Sequence, residues 1–289
     1  MAKIKVPATS ANLGIGFDCL GLALDILNVF EVHSAPEDEL INVPDLYNNP
    51  ENLFLKAYHC ACEQLNIADH ISASFACQIP ISRGLGSSCA LISAGLAAAY
   101  VLHDIPLNKE EIFIMAAQME GHPDNAAPCI FGGFTAAMAD NNRFIHESLS
   151  MHKSYRFYAF IPDFEVSTAK ARQILPSSYE KKVAVSNSAK AILSLKAFEN
   201  GDLQLLKSVC RDEIHEPYRK TLIPDFDQLE KVFVNDTGGL LLISGSGSTC
   251  LGIAEQEFTA FEEINKLEHH WQVHPCKVAQ NGLEVSYED

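Results

Sequence analysis

Residues Cys89 to Leu102 form a 14-residue run without a charged side chain, apolar on nearly every side: Ala90, Leu91, Ile92, Leu96, Ala97, Ala98, Ala99, Val101 and Leu102. A helix that is apolar all round belongs in a core, and this one is too short to span a membrane. The rest of the chain must therefore pack around it. Just before it stands Pro80-Ile81-Ser82-Arg83-Gly84-Leu85-Gly86-Ser87-Ser88, and before that a strand-like run, Ile71 to Gln78. Two glycines and two serines thus fall where a loop becomes a helix. A helix start leaves its first N–H groups unpaired and carries a partial positive charge. Glycines let the backbone approach a ligand closely, and serine hydroxyls can cap the helix or reach a cation. Two readings follow from these residues: a phosphate cradle, or a serine-capped helix start with nothing bound. The loop lacks the lysine of a Walker A loop, and its glycine pattern is not a complete dinucleotide fingerprint.

A chain of 289 residues suits one large domain or two closely packed ones, and 47% hydrophobic with 20% charged residues is ordinary for a globular protein. The net charge of −16, from 21 basic and 37 acidic side chains, argues against nucleic acid as a partner. An anionic ligand must then be held by local donors and a cation, not by the global field. The nine cysteines are odd in number and contain no C-x-x-C pair, which reads as reduced thiol in a cytoplasmic protein. No apolar signal segment opens the chain, and no run is long enough for a membrane span.

Strand-like segments are expected at Lys3 to Pro7, Asn28 to His33, Ile71 to Gln78, Phe131 to Met138, Phe144 to Glu147, Tyr155 to Ile161, Gly239 to Ile243, Thr249 to Ala254, Trp271 to Val278 and Leu283 to Tyr287. Helical periodicity or capping marks Glu51 to Leu65, the run after the glycine loop, Asn108 to Glu120, a start near Ser167, Ser186 to Glu199, Asp202 to His215, Asp225 to Asn235 and Glu257 to His269. Ala8 to Asp18 is expected as a folded loop, Gly121 to Pro128 as a polar turn, and Ser244 to Ser248 as a tight turn. Helices and strands interleave in both halves, which implies an α/β or α+β two-domain enzyme, with a boundary around 150–165.

Several polar residues stand out. Asp18 lies among Phe17, Cys19 and Leu20, and a buried carboxylate needs a partner. It either caps loop N–H groups or binds a ligand ammonium. Glu120 ends a helix, where the dipole disfavours a negative charge, so it is either solvated or beside a cation such as Mg2+. His122, Asp124 and Asn125 share one turn, which either uses Pro and Asx chemistry or faces a hydroxyl nucleophile. Arg172 and Arg219 each adjoin a proline-containing turn, and arginine is the preferred clamp for a carboxylate; surface ion pairs are the plain alternative.

Together these stretches resemble the GHMP kinase superfamily, and within it the homoserine kinase branch. Three motifs occur in order: Lys5-Val6-Pro7-Ala8-Thr9-Ser10-Ala11-Asn12-Leu13-Gly14-Ile15-Gly16-Phe17-Asp18, the loop Pro80 to Ser88, and Ser244-Gly245-Ser246-Gly247-Ser248-Thr249. The branch is marked by the Asn12 to Asp18 loop and by His122-Pro123-Asp124-Asn125-Ala126-Ala127-Pro128. Ser167-Thr168-Ala169-Lys170-Ala171-Arg172 and Glu216-Pro217-Tyr218-Arg219 mark it too. The resemblance implies an α+β fold of two domains: a ribosomal-protein-like N-terminal domain over 1–160 and a ferredoxin-like C-terminal domain over 161–289. It implies ATP-dependent phosphorylation of the hydroxyl of L-homoserine to O-phospho-L-homoserine, a step toward threonine, with Mg2+.

The carried-over roles follow from those motifs. Asn12, Asp18, Thr168, Arg172 and Arg219 match the amino-acid site. Pro80 to Cys89 and Ala90 match the nucleotide loop. Ser88 and Glu120 match the metal ligands, and His122, Asp124 and Asn125 match the turn facing the substrate hydroxyl. Asp124 is the only carboxylate of that turn able to act as a base, a role the resemblance does not require. Arg83 departs from the family pattern, and a shorter link joins Glu120 to His122 than in many relatives. A mevalonate-type kinase of the same superfamily, or a non-catalytic ligand sensor on this fold, are the alternatives. A homodimer is compatible with the sequence and not indicated by it.

Overall fold

The computed structural model describes residues 1–141 and 143–287. In chain order its elements are β1 (Ala2–Ala11), β2 (Leu20–Ala35), β3 (Glu39–Ile41), α1 (Leu53–Gln64), β4 (His70–Cys77), α2 (Ser87–Leu102), α3 (Lys109–Glu120), α4 (Ala126–Phe131), β5 (Phe134–Asp140) and β6 (Arg143–Leu149). The second half holds β7 (Arg156–Pro162), α5 (Thr168–Gln173), α6 (Lys181–Asn200), α7 (Leu203–Val209), α8 (Glu216–Arg219), α9 (Phe226–Thr237), β8 (Leu240–Ile243), β9 (Cys250–Ala254), α10 (Phe261–Ile264), β10 (Trp271–Cys276) and β11 (Glu284–Tyr287).

The first sheet runs β11-β1-β2-β4-β3, and β5 pairs with the start of β2 and with β6. Helices α1 and α2 pack on it, and α2 is buried along nearly its whole length, as its composition requires. The second sheet is antiparallel and ordered β10-β7-β9-β8. Numbered within this half, that is 4-1-3-2, with helices after its first and third strands: the β-α-β-β-α-β ferredoxin-like arrangement. Strand alternation explains how this sheet serves two cores. Phe157, Ala159 and Ile161 of β7 enter the large core shared with the first half, while Tyr158 and Phe160 face α9 and α10. The expected division at 160/161 thus falls inside β7, and the last strand, β11, returns to pair with β1.

Several expectations change. The N-terminal loop is shorter than Ala8 to Asp18, because the β1–β2 ladder continues through an irregularity at Pro7/Ala8 as far as Ala11. The turn Gly121 to Pro128 contains the start of α4. Pro128 is tolerated there because it lies in the first turn, where its missing N–H would have had no partner. The helix expected over Asp202 to His215 stops at Val209, since the Asp212 carboxylate takes the N–H groups of Ile214, His215 and Glu216 and starts α8 instead. The helix expected over Glu257 to His269 shrinks to α10. There the Asp236 carboxylate holds the N–H groups of Thr259 and Ala260, and Tyr158 Oη accepts from Phe258 N. For the first of these two helices a side chain within the segment itself competes with the local helix, and for the second the competing side chains come from other elements of the fold. All nine cysteines are free thiols. Among the described residues no helix is long and apolar enough to cross a membrane.

Candidate active site

A cleft of about 1570 Å³ opens between the two halves, and the glycine loop forms one of its walls. Gly84 and Gly86 both have positive φ, +74° and +69°. A Cβ on Gly84 would lie 2.4 Å from Ser244 O, and one on Gly86 2.0 Å from Thr9 Oγ1, so only glycine fits at either place. The loop is held on both sides by backbone. Thr9 N donates to Leu85 O at 3.1 Å, Thr249 N to Arg83 O at 3.0 Å, and Ser244 Oγ to Gly84 O at 2.7 Å. The Ser244 turn therefore locks onto the glycine loop. Neither serine caps α2, whose N-cap is Gly86 with no side-chain bond. The serine-capped reading is set aside, and the first N–H groups of a 16-residue helix carry no side-chain cap.

At the end of α3, Glu120 meets this helix start, and Ser88 Oγ donates to its carboxylate. Burial pushes the Glu120 carboxyl above its usual range; the Ser88 bond and the nearby His122 pull the other way. Among the described residues no lysine or arginine pairs with it. A half-buried carboxylate answered, among the described residues, by a hydroxyl and a nearby histidine suits a hard divalent cation, so the donors fit Mg2+.

Next to Glu120, His122 Nδ1 lies 2.6 Å from Asp124 Oδ1, and Asn125 Nδ2 donates weakly to the same oxygen. Asn125 Oδ1 accepts from Thr9 Oγ1 at 2.6 Å, which ties the turn to β1. Burial would lower the His122 pKa, but the bond and charge of Asp124 outweigh it and leave the imidazole raised. The Gly121-to-Asn125 turn thus presents a buried carboxylate held by an imidazole, next to the Ser88–Glu120 pair.

Across the cleft, the loop after β1 meets α5 and α8. Asn12 Nδ2 donates to Gly245 O at 2.8 Å, and its Oδ1 accepts from Asp18 N at 3.0 Å. Arg172 forms a two-pronged pair with Asp18, at 2.9 and 2.8 Å. Arg219, only 2% exposed, donates to two carbonyls, Ala171 O at 3.3 Å and Gly245 O at 2.9 Å. No carboxylate pairs with Arg219 among the described residues. Burial, and then the charge of Arg172, lower its pKa. Both guanidinium groups lie over the Phe17 ring, 5.8 Å (Arg172) and 4.9 Å (Arg219) from its centroid. Phe17 stacks in turn on the buried His215. Thr168 Oγ1 is 3.2 Å from Ser246 Oγ, at the rim.

The residues singled out in the sequence line one cleft, except Leu85, Cys89 and Ala90, which are fully buried in the core behind the loop. Arg83, which departs from the family pattern, is tied into the fold. Its guanidinium donates to Pro162 O, Ile81 O and Asp163 O and pairs with Glu165 at 2.9 Å. Several contributors went unnoticed in the sequence. Phe17 supports both arginines; its only signal was its place between Gly16 and Asp18. Thr9 and Ser10 hold the turn and the hairpin loop from inside β1. Leu46 and Tyr47 also went unnoticed; together with Ile81 of the expected nucleotide loop they are exposed apolar side chains on the cleft wall, where a flat base could rest.

The family model described as GHMP kinases N terminal domain matches residues 52–133, and that described as GHMP kinases C terminal matches 194–273. Homoserine kinase of Clostridium botulinum (strain Okra / Type B1) is 36% identical, with 99% of each chain covered. Homoserine kinase of Caldicellulosiruptor saccharolyticus is 37% identical, covering 92% of this chain and 88% of its own. The crystal structure of homoserine kinase from Cytophaga hutchinsonii superposes with a TM-score of 0.87 at 25% identity, covering 99% of this chain and 97% of that one. A mevalonate kinase structure matches with a TM-score of 0.73 at 19% identity, a likeness of fold.

Proposed function

The chain belongs to the GHMP kinase family, in its homoserine kinase branch, and we propose on that footing how its cleft works. The enzyme phosphorylates the side-chain hydroxyl of L-homoserine with ATP, giving O-phospho-L-homoserine in threonine biosynthesis. The residues Pro80 to Ala90 take the nucleotide, with the N–H groups at the start of α2 on its phosphates. Ser88 and Glu120 would hold Mg2+, whose charge offsets that of the phosphates. The base rests against Leu46, Tyr47 and Ile81. A cytoplasmic setting suits an enzyme with nine free thiols.

One observation carries the amino-acid reading. Arg219 is buried beside an Asp18–Arg172 pair with no carboxylate of its own. The cluster Asp18, Arg172 and Arg219 has one negative and two positive groups. A zwitterion matches it: its carboxylate on Arg219 and Arg172, its ammonium on Asp18. Asn12 and Thr168 flank that place. The hydroxyl then reaches toward His122, Asp124 and Asn125. Catalysis is in-line transfer driven by position and charge neutralisation, and the Asp124 carboxylate orients the hydroxyl.

The test is ADP release with a panel of alcohols. L-homoserine is expected to turn over, while 4-hydroxybutyrate, 3-amino-1-propanol and mevalonate, each lacking one charge or carrying a different shape, turn over poorly. Faster turnover of mevalonate would move the enzyme to the mevalonate-type group. Binding of homoserine by calorimetry with no ADP release from any alcohol would make the protein a sensor.

A further inference from the structure

Away from the cleft, three side chains with metal-binding atoms converge at the edge of the first sheet. Asp38 heads the short edge strand β3, His59 projects from α1, and His70 is the first residue of β4. His59 Nε2 lies 2.8 Å from Asp38 Oδ2, and His70 Nδ1 lies 3.2 Å from Asp38 Oδ1. All three donor atoms lie within 4.8 Å of one another. None of the three residues lines the cleft.

The arrangement is anchored by backbone. Asp38 Oδ1 accepts from Ile71 N at 3.1 Å, which fixes the carboxylate at the end of the β3–β4 ladder. His70 N donates to Asp69 Oδ1 at 2.8 Å, and the other oxygen of Asp69 faces His103 Nε2 at 3.4 Å. Asp69 thus holds the backbone at His70 and pairs with a third imidazole, that of His103. Ligand atoms sharing one tetrahedral ion at about 2.0–2.1 Å stand roughly 3.3 Å apart. Both imidazoles are open to solvent, with side chains 42% and 55% exposed, so the rings can close that gap by rotation. The other His and carboxylate cluster, Asp225, Glu268 and His269, is different. There Asp225 Oδ2 already accepts from Trp271 Nε1, from His269 N and from His269 Nδ1. Its oxygen is spent on the fold.

We propose that Asp38, His59 and His70 form a binding site for a divalent transition metal of the zinc type, with an open position filled by solvent. Two imidazoles and one carboxylate select zinc, cobalt or nickel over magnesium, which prefers oxygen ligands. This site is chemically distinct from Ser88 and Glu120. Its structural effect is a staple: the ion joins the start of β3 to α1 and β4. Asp38 stands shortly before residues 42–47, and Asn42, Val43, Pro44, Leu46 and Tyr47 line the cleft.

The test is a titration of the full, reduced chain with Co2+ in excess Mg2+, which occupies the oxygen-rich cleft. One equivalent is expected to bind, with weak visible bands of nitrogen and oxygen ligation and without the strong near-ultraviolet band of thiolate ligation. Zn2+ should displace it. His59→Ala and His70→Ala should each weaken binding by at least about 10-fold, the lower range for disturbing a metal's surroundings. Both variants should keep the wild-type circular dichroism spectrum and homoserine KM. Absence of saturable binding, a thiolate band, or unchanged affinity in the two variants would overturn the site.

Discussion

Arg219 donates to two peptide carbonyls, of Ala171 and Gly245, lies over the Phe17 ring, and among the described residues pairs with no carboxylate. Leaving a buried charge without its counter-ion is costly, so the site is poised to accept an anion. Arg219→Ala is expected to raise the homoserine KM by about 10- to 100-fold, the range for a charged hydrogen-bonded contact. The ATP KM should hardly move. Equal rises in both would remove the clamp role. Asp124 poses the opposite case. Its Oδ1 is engaged by His122, and phosphoryl transfer leans on position more than on proton abstraction. Asp124→Asn, which keeps an oxygen for the imidazole, should cost only a few-fold in kcat. A loss of about 100-fold or more would instead identify Asp124 as the general base.

At the scale of elements, α2 and α8 make two distinct demands. Gly95 sits where α2 crosses α1, and a Cβ there would stand 2.2 Å from Phe54 O. Helix propensity alone would favour Gly95→Ala by about 1 kcal/mol. Packing reverses the sign, and the variant should lose about 1–3 kcal/mol in urea denaturation as α1 is pushed away. Stabilisation would show that the helices yield freely. On α8, the buried Glu216 accepts from Ile243 N while carrying Arg219 one turn later. Burial pushes its carboxyl up to about 7 from 4.5; the Ile243 bond and Lys220 oppose this, and Asp212 and Glu230 add to it. A folded pKa above the unfolded one means the folded state holds the proton longer. Glu216 therefore lowers stability as pH rises through the window from 4.5 to about 7, by about 3 kcal/mol in all. Glu216→Gln keeps the acceptor and cannot ionise. Its stability relative to the parent should climb across that window, and a flat difference would discard the assignment.

Across the whole molecule, the two halves meet through pairs that no local pattern announces. Arg83 bolts the glycine loop to the end of β7 and the segment after it, through Pro162 O, Asp163 O and Glu165. Arg83→Ala is expected to raise the ATP KM several-fold with the homoserine KM unchanged. Arg83→Lys should behave the same way, because a point charge cannot fork onto two carbonyls. Rescue by lysine would mean that Arg83 serves the phosphates by its charge. Glu165→Ala should do little, as an exposed pair contributes little. The residue set of the cleft was an expectation drawn from the family resemblance; the sequence by itself determined the buried helix and the glycine loop before it, because periodicity and turn chemistry act over a few neighbours. Asn108 as the cap of α3, and Ser167 as the cap of α5, were legible for the same reason. Only the tertiary structure decided what those residues touch. Asp18 met Arg172 across 154 positions, Arg219 was left without a carboxylate, and Phe17 came to lie under both arginines. The helices expected after Asp202 and Glu257 were cut short by Asp212 and by Asp236 with Tyr158, and the latter pair lies on other elements of the fold. The glycine loop itself was ambiguous in sequence. Its cap reading fell away because Thr9, Ser244 and Thr249, distant in the chain, hold its backbone open at the start of α2. Such contacts exist only once β1 and the hairpin loop after β8 have closed on it.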